Sequence, residues 1–205
     1  MLSNGQDIIV IQSQELLYDL SRLIKLARSG DEDAFGKIVN LYHNKVIGYC
    51  HRMIGAGAED MAQEIFIKFY LALDRFDVSK PVAPFLFRIA HNHCLDILKK
   101  KNIRTVPFEK NSEDGQEIQI QDERPDPEGL MQKAELQNAV RDAMASIPAL
   151  YRSPLIMWHV EGISYEEIAE ILEMPIGTVK AQIHRGRKLL QQKLRDFVLI
   201  DGGLA

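Results

Sequence analysis

Four groups of residues in this 205-residue chain combine types and spacings that could do chemistry. The first is cationic. Between Pro175 and Arg195 stand Lys180, Arg185, Arg187, Lys188, Lys193 and Arg195, with no Asp or Glu. A merely solvated face mixes its signs, whereas unmixed positive charge is rewarded by phosphates through counterion release. The second group is Arg88, Asn92, Asp96 and Lys99, at helical steps of four, four and three. Asn can hydrogen-bond a base edge, and Arg and Lys can hold phosphate. The run Lys99 to Lys101 also suits a helix C-terminus, so part of that signal is structural. The third group is Asp60, Gln63, Glu64 and Ile67, on one helical line. Its mixture of acid, amide and apolar groups fits either a protein partner or a solvated face. The fourth group, His91, His93 and Cys94, would interest a metal. Successive helical residues point about 100° apart, so the three diverge and share no ligand set.

The elements that must position these groups read as helices throughout. Leu16, Leu20, Leu23, Ile24 and Ala27 recur at three- and four-residue steps until Gly30, and Asp31 can cap a second helix. That helix carries Phe35, Ile38, Val39, Tyr42, Val46, Tyr49 and Met53 on one stripe. "GAGAED" breaks it, a third helix is expected over 58–73, and a fourth over 84–101 with Pro84 in its first turn. Helical spacing returns from Leu130 to Ile147, followed by helices near 150–160, 164–172 and 175–195. No stretch alternates convincingly with period two. "EIQIQ" is a possible short extended piece inside an otherwise polar, acidic segment over 102–126.

Near the end, Ser164 with Glu167 three residues on forms a capping box. "EMP" makes a short turn, and Val179, Ile183, Gly186 and Leu190 form a buried stripe. Lys180, Ala181, His184, Arg185 and Lys188 are left on the outer side. A capped helix, a three-residue turn and a helix with a basic outer face make a helix-turn-helix, whose second helix fits the DNA major groove. Trp158, beside the turn into this unit, is expected in the core.

Composition bounds the rest. The chain is 46% hydrophobic with a net charge of −4. Its charge is uneven: +4 over 21–101, −5 over 102–135 and 0 over 136–205. Apolar runs such as "IIVI" are far below the roughly 20 residues of a membrane span, and no signal peptide is visible. A soluble protein without membrane insertion is expected. Two cysteines, Cys50 and Cys94, make no disulfide framework and fit a reducing cytoplasm.

With these residues in view, "DPEGLMQKAELQNAVRDAMASIPALYRSPLIMWHVEGISYEEIAEILEMPIGTVKAQIHRGRKLL" resembles the C-terminal promoter-reading domain of the extracytoplasmic-function (ECF) sigma factors of bacterial RNA polymerase. "RIAHN…LD" resembles the element with which that family captures the melted −10 strand, and the likeness runs from about Leu20 to Leu194. It implies an all-α fold of two small helical domains joined by a flexible acidic linker. The boundaries are 1–101 (polymerase docking and −10 element), 102–126 (linker) and 127–205 (helix-turn-helix, −35 element). It further implies that Asp60, Gln63, Glu64 and Ile67 bind the clamp helices of the largest polymerase subunit. The −10 strand would meet Phe76, Ser79, Lys80, Phe85, Arg88, Asn92, Asp96, Lys99 and Lys100. The −35 duplex would meet Thr178, Lys180, Ala181, His184, Arg185 and Lys188. Phe76 and Phe85 are the aromatic candidates for stacking a base, at about 1–3 kcal/mol each; plain core packing is an equal alternative for Phe85, where the family often has Trp. The partners implied are core polymerase, including the flap of its second-largest subunit, promoter DNA and an anti-sigma factor. No cofactor is implied. The linker is expected either to thread a basic channel of the polymerase or simply to solubilise. Glu173 stands where the family often has Gly; a left-handed turn there costs Glu roughly 1 kcal/mol.

Two other readings stay open on residues alone. One is a conventional regulator whose N-terminal half dimerises or senses a ligand; the other is a DNA-processing enzyme with a borrowed helix-turn-helix. Against the enzyme, the chain shows no nucleophile paired with a base, no glycine-rich phosphate loop and no metal-ligand spacing. Only a promoter-specificity subunit uses both the Asp60 face and the Arg88 face.

Overall fold

The computed structural model describes residues 19–104 and 138–201, and among these the chain forms helices and no strand. Helix α1 covers 19–28. It is followed by α2 (Glu32–Ile54), α3 (Ala58–Ala72), a 3₁₀ turn (Leu73–Arg75) and α4 (Val82–Arg104). After α5 over 138–146 come α6 (Ala149–His159), α7 (Tyr165–Leu172) and α8 (Ile176–Asp201). Residues 105–137, with the acidic segment and "EIQIQ", lie outside the described residues, as do residues 1–18, Leu16 among them, and 202–205.

The helix boundaries follow local chemistry. Gly30 takes φ +92° and ends α1, a conformation that suits glycine. Asp31 then accepts a hydrogen bond from the Ala34 amide at 2.9 Å, capping α2 above the acidic pair Glu32 and Asp33. Helix α4 starts two residues earlier than expected, at Val82. Pro84 still falls within the first turn, where amides have no intrahelical acceptor. Both α4 and α8 run longer than the apolar pattern indicates, to Arg104 and Asp201.

The N-terminal helices bury Ile24, Ile38, Tyr49, Met53, Ile65, Phe69 and Leu86 completely or nearly so. The stripes read from spacing are therefore the core stripes. In the C-terminal group Ile147, Leu155, Ile156, Ile168, Val179 and Ile183 play the same part. Gly186 is where α8 crosses α6 closely: a Cβ there would sit 3.0 Å from the Tyr151 carbonyl and 3.4 Å from Leu155.

The two helical groups touch. Helix α4 packs on α7 and α2 on α6, and one apolar cluster runs through both groups. A buried polar knot sits at this seam. Ser153 Oγ lies 2.9 Å from Tyr49 Oη and 2.8 Å from His91 Nδ1. A single hydroxyl serves both by accepting from the phenol and donating to the neutral imidazole. Burial first, and Lys99 second, holds His91 down to about 4. The distant cysteines also meet here, both buried and free: the hydrogen bond with Cys94 and burial push the Cys50 thiol well up, so Cys50 remains an inert thiol.

Candidate nucleic-acid interface

Three surfaces carry the predicted site residues. The first lies on α3. Asp60, Gln63, Glu64 and Ile67 are all exposed on one face, while Met61, Ala62, Ile65 and Phe69 hold the opposite face in the core. Ile67 is 60% exposed, and Leu71, one turn further, is 74% exposed. The row of apolar groups beside the acids therefore continues past Ile67. That extension was readable from the i, i+4 spacing and was missed. Glu64 does not stand alone. Its carboxylate is 3.0 Å from His93 Nε2, although not aligned as a hydrogen bond. Lys68 Nζ approaches the other ring nitrogen at 2.5 Å. Burial and Lys68 lower the His93 pKa against the pull of Glu64, so a neutral ring accepts a hydrogen bond from the Lys68 ammonium at Nδ1 and carries its own N–H at Nε2, on the side of the acid.

The second surface is the loop after α3 together with α4. Helix α1 pins the loop from behind. Arg28 donates to the Leu73 carbonyl at 2.7 Å and to the Phe76 carbonyl, and Ser21 Oγ donates to the Val78 carbonyl at 2.9 Å. Asp77 accepts from the Ser79 amide at 3.0 Å and the Ser79 hydroxyl at 2.7 Å, which hold its carboxyl below the ordinary range. Ser79 and Lys80 are thereby presented on a shaped turn, exposed. The aromatic pair behaves differently. Phe76 is buried and packs on Phe85 at 4.9 Å between centroids; Phe85 is half-buried and rests on Phe69 at 5.9 Å. Phe85 presents part of its ring, whereas Phe76 supports it from below. Along α4, Asn92, Asp96, Lys99 and Lys100 are exposed on the side away from Leu86, Ala90 and Cys94. Arg88 is placed with them but is engaged: Nη1 lies 3.3 Å from a Glu173 carboxylate oxygen, and Nη2 donates to the Glu170 carbonyl at 2.5 Å. The candidate metal trio diverges. His91 turns to Ser153, His93 to Glu64 and Lys68, and Cys94 Sγ to Met61 Sδ at 3.6 Å.

The third surface is the helix-turn-helix. Ser164 and Glu167 form the reciprocal capping box, with the Glu167 amide 3.2 Å from Ser164 Oγ and the Ser164 amide 3.0 Å from the Glu167 carboxylate. Glu173 takes φ 53° and ψ 45°, so the turn is left-handed at a residue with a Cβ. Val179, Ile183 and Gly186 are buried, and Thr178, Lys180, Ala181, His184, Arg185 and Lys188 are all exposed. The six residues expected at duplex DNA thus share one accessible side of α8. Trp158 departs from expectation. It is half-buried: it packs against the edge of the core, and its ring stacks on Tyr165. Apolar spacing cannot distinguish a core ring from one that lies on the rim.

Comparison with known proteins places this arrangement. Residues 38–103 match the Sigma-70 region 2 family and residues 137–190 the Sigma-70, region 4 family. The ECF RNA polymerase sigma factor SigW of Bacillus subtilis is 38% identical over 183 residues, covering 87% of this chain and 98% of that protein. The ECF RNA polymerase sigma-E factor of Escherichia coli K12 is 32% identical over 183 residues, covering 86% of this chain and 94% of the relative. Among solved structures, the sigma factor RpoE of Bartonella quintana, in complex with the anti-sigma factor NepR, aligns with a TM-score of 0.63. That alignment has 21% identity and covers 78% of this chain and 96% of the other, a likeness of fold.

Proposed function

The chain belongs to the ECF family of RNA polymerase sigma factors, and from that premise we propose that its three surfaces divide the work of promoter recognition and transcription initiation. Helix α8 reads the −35 element as duplex from the major groove. Helix α4 and the Asp74–Ala83 loop hold the melted −10 strand, with the exposed part of Phe85 as the base-stacking face. The α3 row of Asp60, Gln63, Glu64 and Ile67, extended by Leu71, docks on the clamp helices of the largest polymerase subunit. The flap of the second-largest subunit receives the C-terminal domain. The domains are 1–101 and 127–205, and the acidic stretch over 102–126 spans between them. The chain supplies specificity and the polymerase supplies the chemistry. The complex of RpoE with NepR supports an anti-sigma factor as a further partner, and no helix among the described residues is long and apolar enough to cross a membrane.

One observation carries the assignment of α8. Six predicted contact residues are exposed on a helix without an acidic residue up to Arg195, directly above a buried stripe. Such a face binds a polyanion at no repulsive cost. The docking face is tested by changing Asp60 and Gln63 together to Ala. Association with core polymerase is expected to be lost while helicity stays normal, because both side chains are exposed. Retained association by the folded variant contradicts the docking assignment.

A further inference from the structure

Two exposed cations of α8, Lys180 at the margin of the outward face and Arg187 just beyond it, each rest on an aromatic ring. Lys180 Nζ lies 5.5 Å from the centre of the Tyr165 ring, and Arg187 Cζ lies 5.9 Å from the centre of the Trp158 ring. Both distances fall within the roughly 6 Å over which a ring face attracts a cation. The rings are themselves stacked, 5.2 Å between centroids with planes 20° apart. Residues seven apart sit almost two full turns along a helix, so the two cations share one side, about 10.5 Å apart along the axis. Helices α6 and α7 thus contribute a two-ring ladder whose ends each carry a cation of the reading helix. Among the described residues neither cation has an ion-pair partner.

Resting on the placement of α8 against duplex DNA, we propose that Trp158 and Tyr165 are positioning residues. They hold Lys180 and Arg187 as a phosphate-binding edge along one side of the recognition helix. Arg187 is thereby a DNA-backbone contact beyond the outward face of Thr178, Lys180, Ala181, His184, Arg185 and Lys188. A helix seated in the major groove points its outward residues at base edges and its flanks at the phosphate strands on either side. A long cationic side chain loses rotamer freedom when it settles on a phosphate, and a ring that already holds the chain removes part of that loss. Contact with the ring face leaves N–H donors of both groups available, since ammonium has three and guanidinium five. Backbone contacts carry no sequence information. The edge therefore adds affinity and fixes register without changing which promoter is preferred.

The test uses the full chain assembled with core polymerase on a library of duplexes randomised upstream, with occupancy followed against salt. Arg187→Gln is expected to weaken binding severalfold and evenly across library members, leaving their ranking intact. It should also lower the slope of log K against log[salt] by about 0.9, the value for one lost phosphate contact. Arg185→Ala, on the outward face, is expected to reorder the ranking. Tyr165→Phe keeps the ring and should bind as the parent does, whereas Tyr165→Leu should weaken binding and reduce the salt slope. Should Tyr165→Leu lose helicity, Trp158→Phe and Trp158→Leu repeat the comparison at the Arg187 end. Trp158 is the only tryptophan, so its emission reports directly whether Arg187→Gln removes a cation from its face. An unchanged salt slope in Arg187→Gln overturns the proposal, and so does a Tyr165→Phe variant as impaired as Tyr165→Leu. A silent Arg185→Ala instead overturns the placement of α8 on the duplex.

Discussion

Replacing Glu173 by glycine sets two opposing effects against each other. Glu173 is the one non-glycine residue with positive φ among the described residues, at 53°. A left-handed conformation costs an L-residue roughly 1–2 kcal/mol, and glycine occupies it without that cost. Against this stands the ion pair with Arg88 at 3.3 Å, whose side chains are 41% and 75% exposed. Pairs so open to water are worth about 0.2–1 kcal/mol. The second Arg88 contact, to the Glu170 carbonyl at 2.5 Å, does not involve the Glu173 side chain and survives the substitution. Glu173→Gly is therefore predicted to leave stability unchanged or to raise it by about 1 kcal/mol. Urea unfolding followed by Trp158 emission measures this, because the lone tryptophan sits beside the helix-turn-helix. A double-mutant cycle of Arg88→Ala with Glu173→Gly should return a coupling of about 0.2–1 kcal/mol at low salt. That coupling should shrink toward zero near 1 M salt, where the screening length is about 3 Å. Destabilisation by Glu173→Gly of more than about 1 kcal/mol would refute the strain argument. Zero coupling at low salt would show that α4 and the α7 turn are not in contact in solution.

Three further substitutions probe burial and packing elsewhere in the fold. His91 is held down to about 4 against an ordinary value of 6.5. Between those values the unfolded chain carries a proton that the folded chain does not, so stability falls as pH drops from about 6.5 toward 4 and is retained above 6.5. The His91 contribution to that fall is at most about 3 kcal/mol. Denaturation at pH 7 and pH 4.5 should show a shallower pH dependence in His91→Gln; equal slopes contradict the burial argument. Glycine at helix interiors normally yields about 0.5–1 kcal/mol to alanine. Gly36→Ala, with nothing within 4 Å of the new Cβ, should gain that amount. Gly186→Val should lose about 1–3 kcal/mol because its Cβ meets the Tyr151 carbonyl at 3.0 Å. Thermal unfolding distinguishes the two, and a stabilised Gly186→Val would contradict the close crossing of α6 and α8.

Much of this architecture is legible in the sequence. Periodicity found the buried stripes of α2, α3 and α8, because a stripe such as Val179, Ile183 and Gly186 is a local pattern recording one long-range fact, namely which side faces in. The capping box and the Asp31 cap were equally plain, since a cap is a contact between neighbours in sequence. What escaped depends on pairs far apart in the chain. Nothing near Arg88 announces Glu173, and nothing near Tyr49 announces Ser153, 104 residues away. Phe76 and Phe85 looked equivalent as aromatic residues flanking a loop, yet Arg28 and the α3 packing put one beneath the other. Trp158, expected in the core, packs against it only in part. Its stacking on Tyr165 required α6 and α7 to be placed side by side.

The proposed division of labour is that α8 grips paired strands, α4 holds an opened one, and the polymerase joins them. In vitro transcription with core polymerase, this chain and a library of upstream sequences measures it directly. The prediction is start-site selection governed by two spaced elements. Arg185→Ala should alter preference only at the upstream element, and Asn92→Ala should alter only opening at the downstream one. Failure of the chain to direct core polymerase to any start site, together with tight binding of intact duplex by the chain alone, would contradict it.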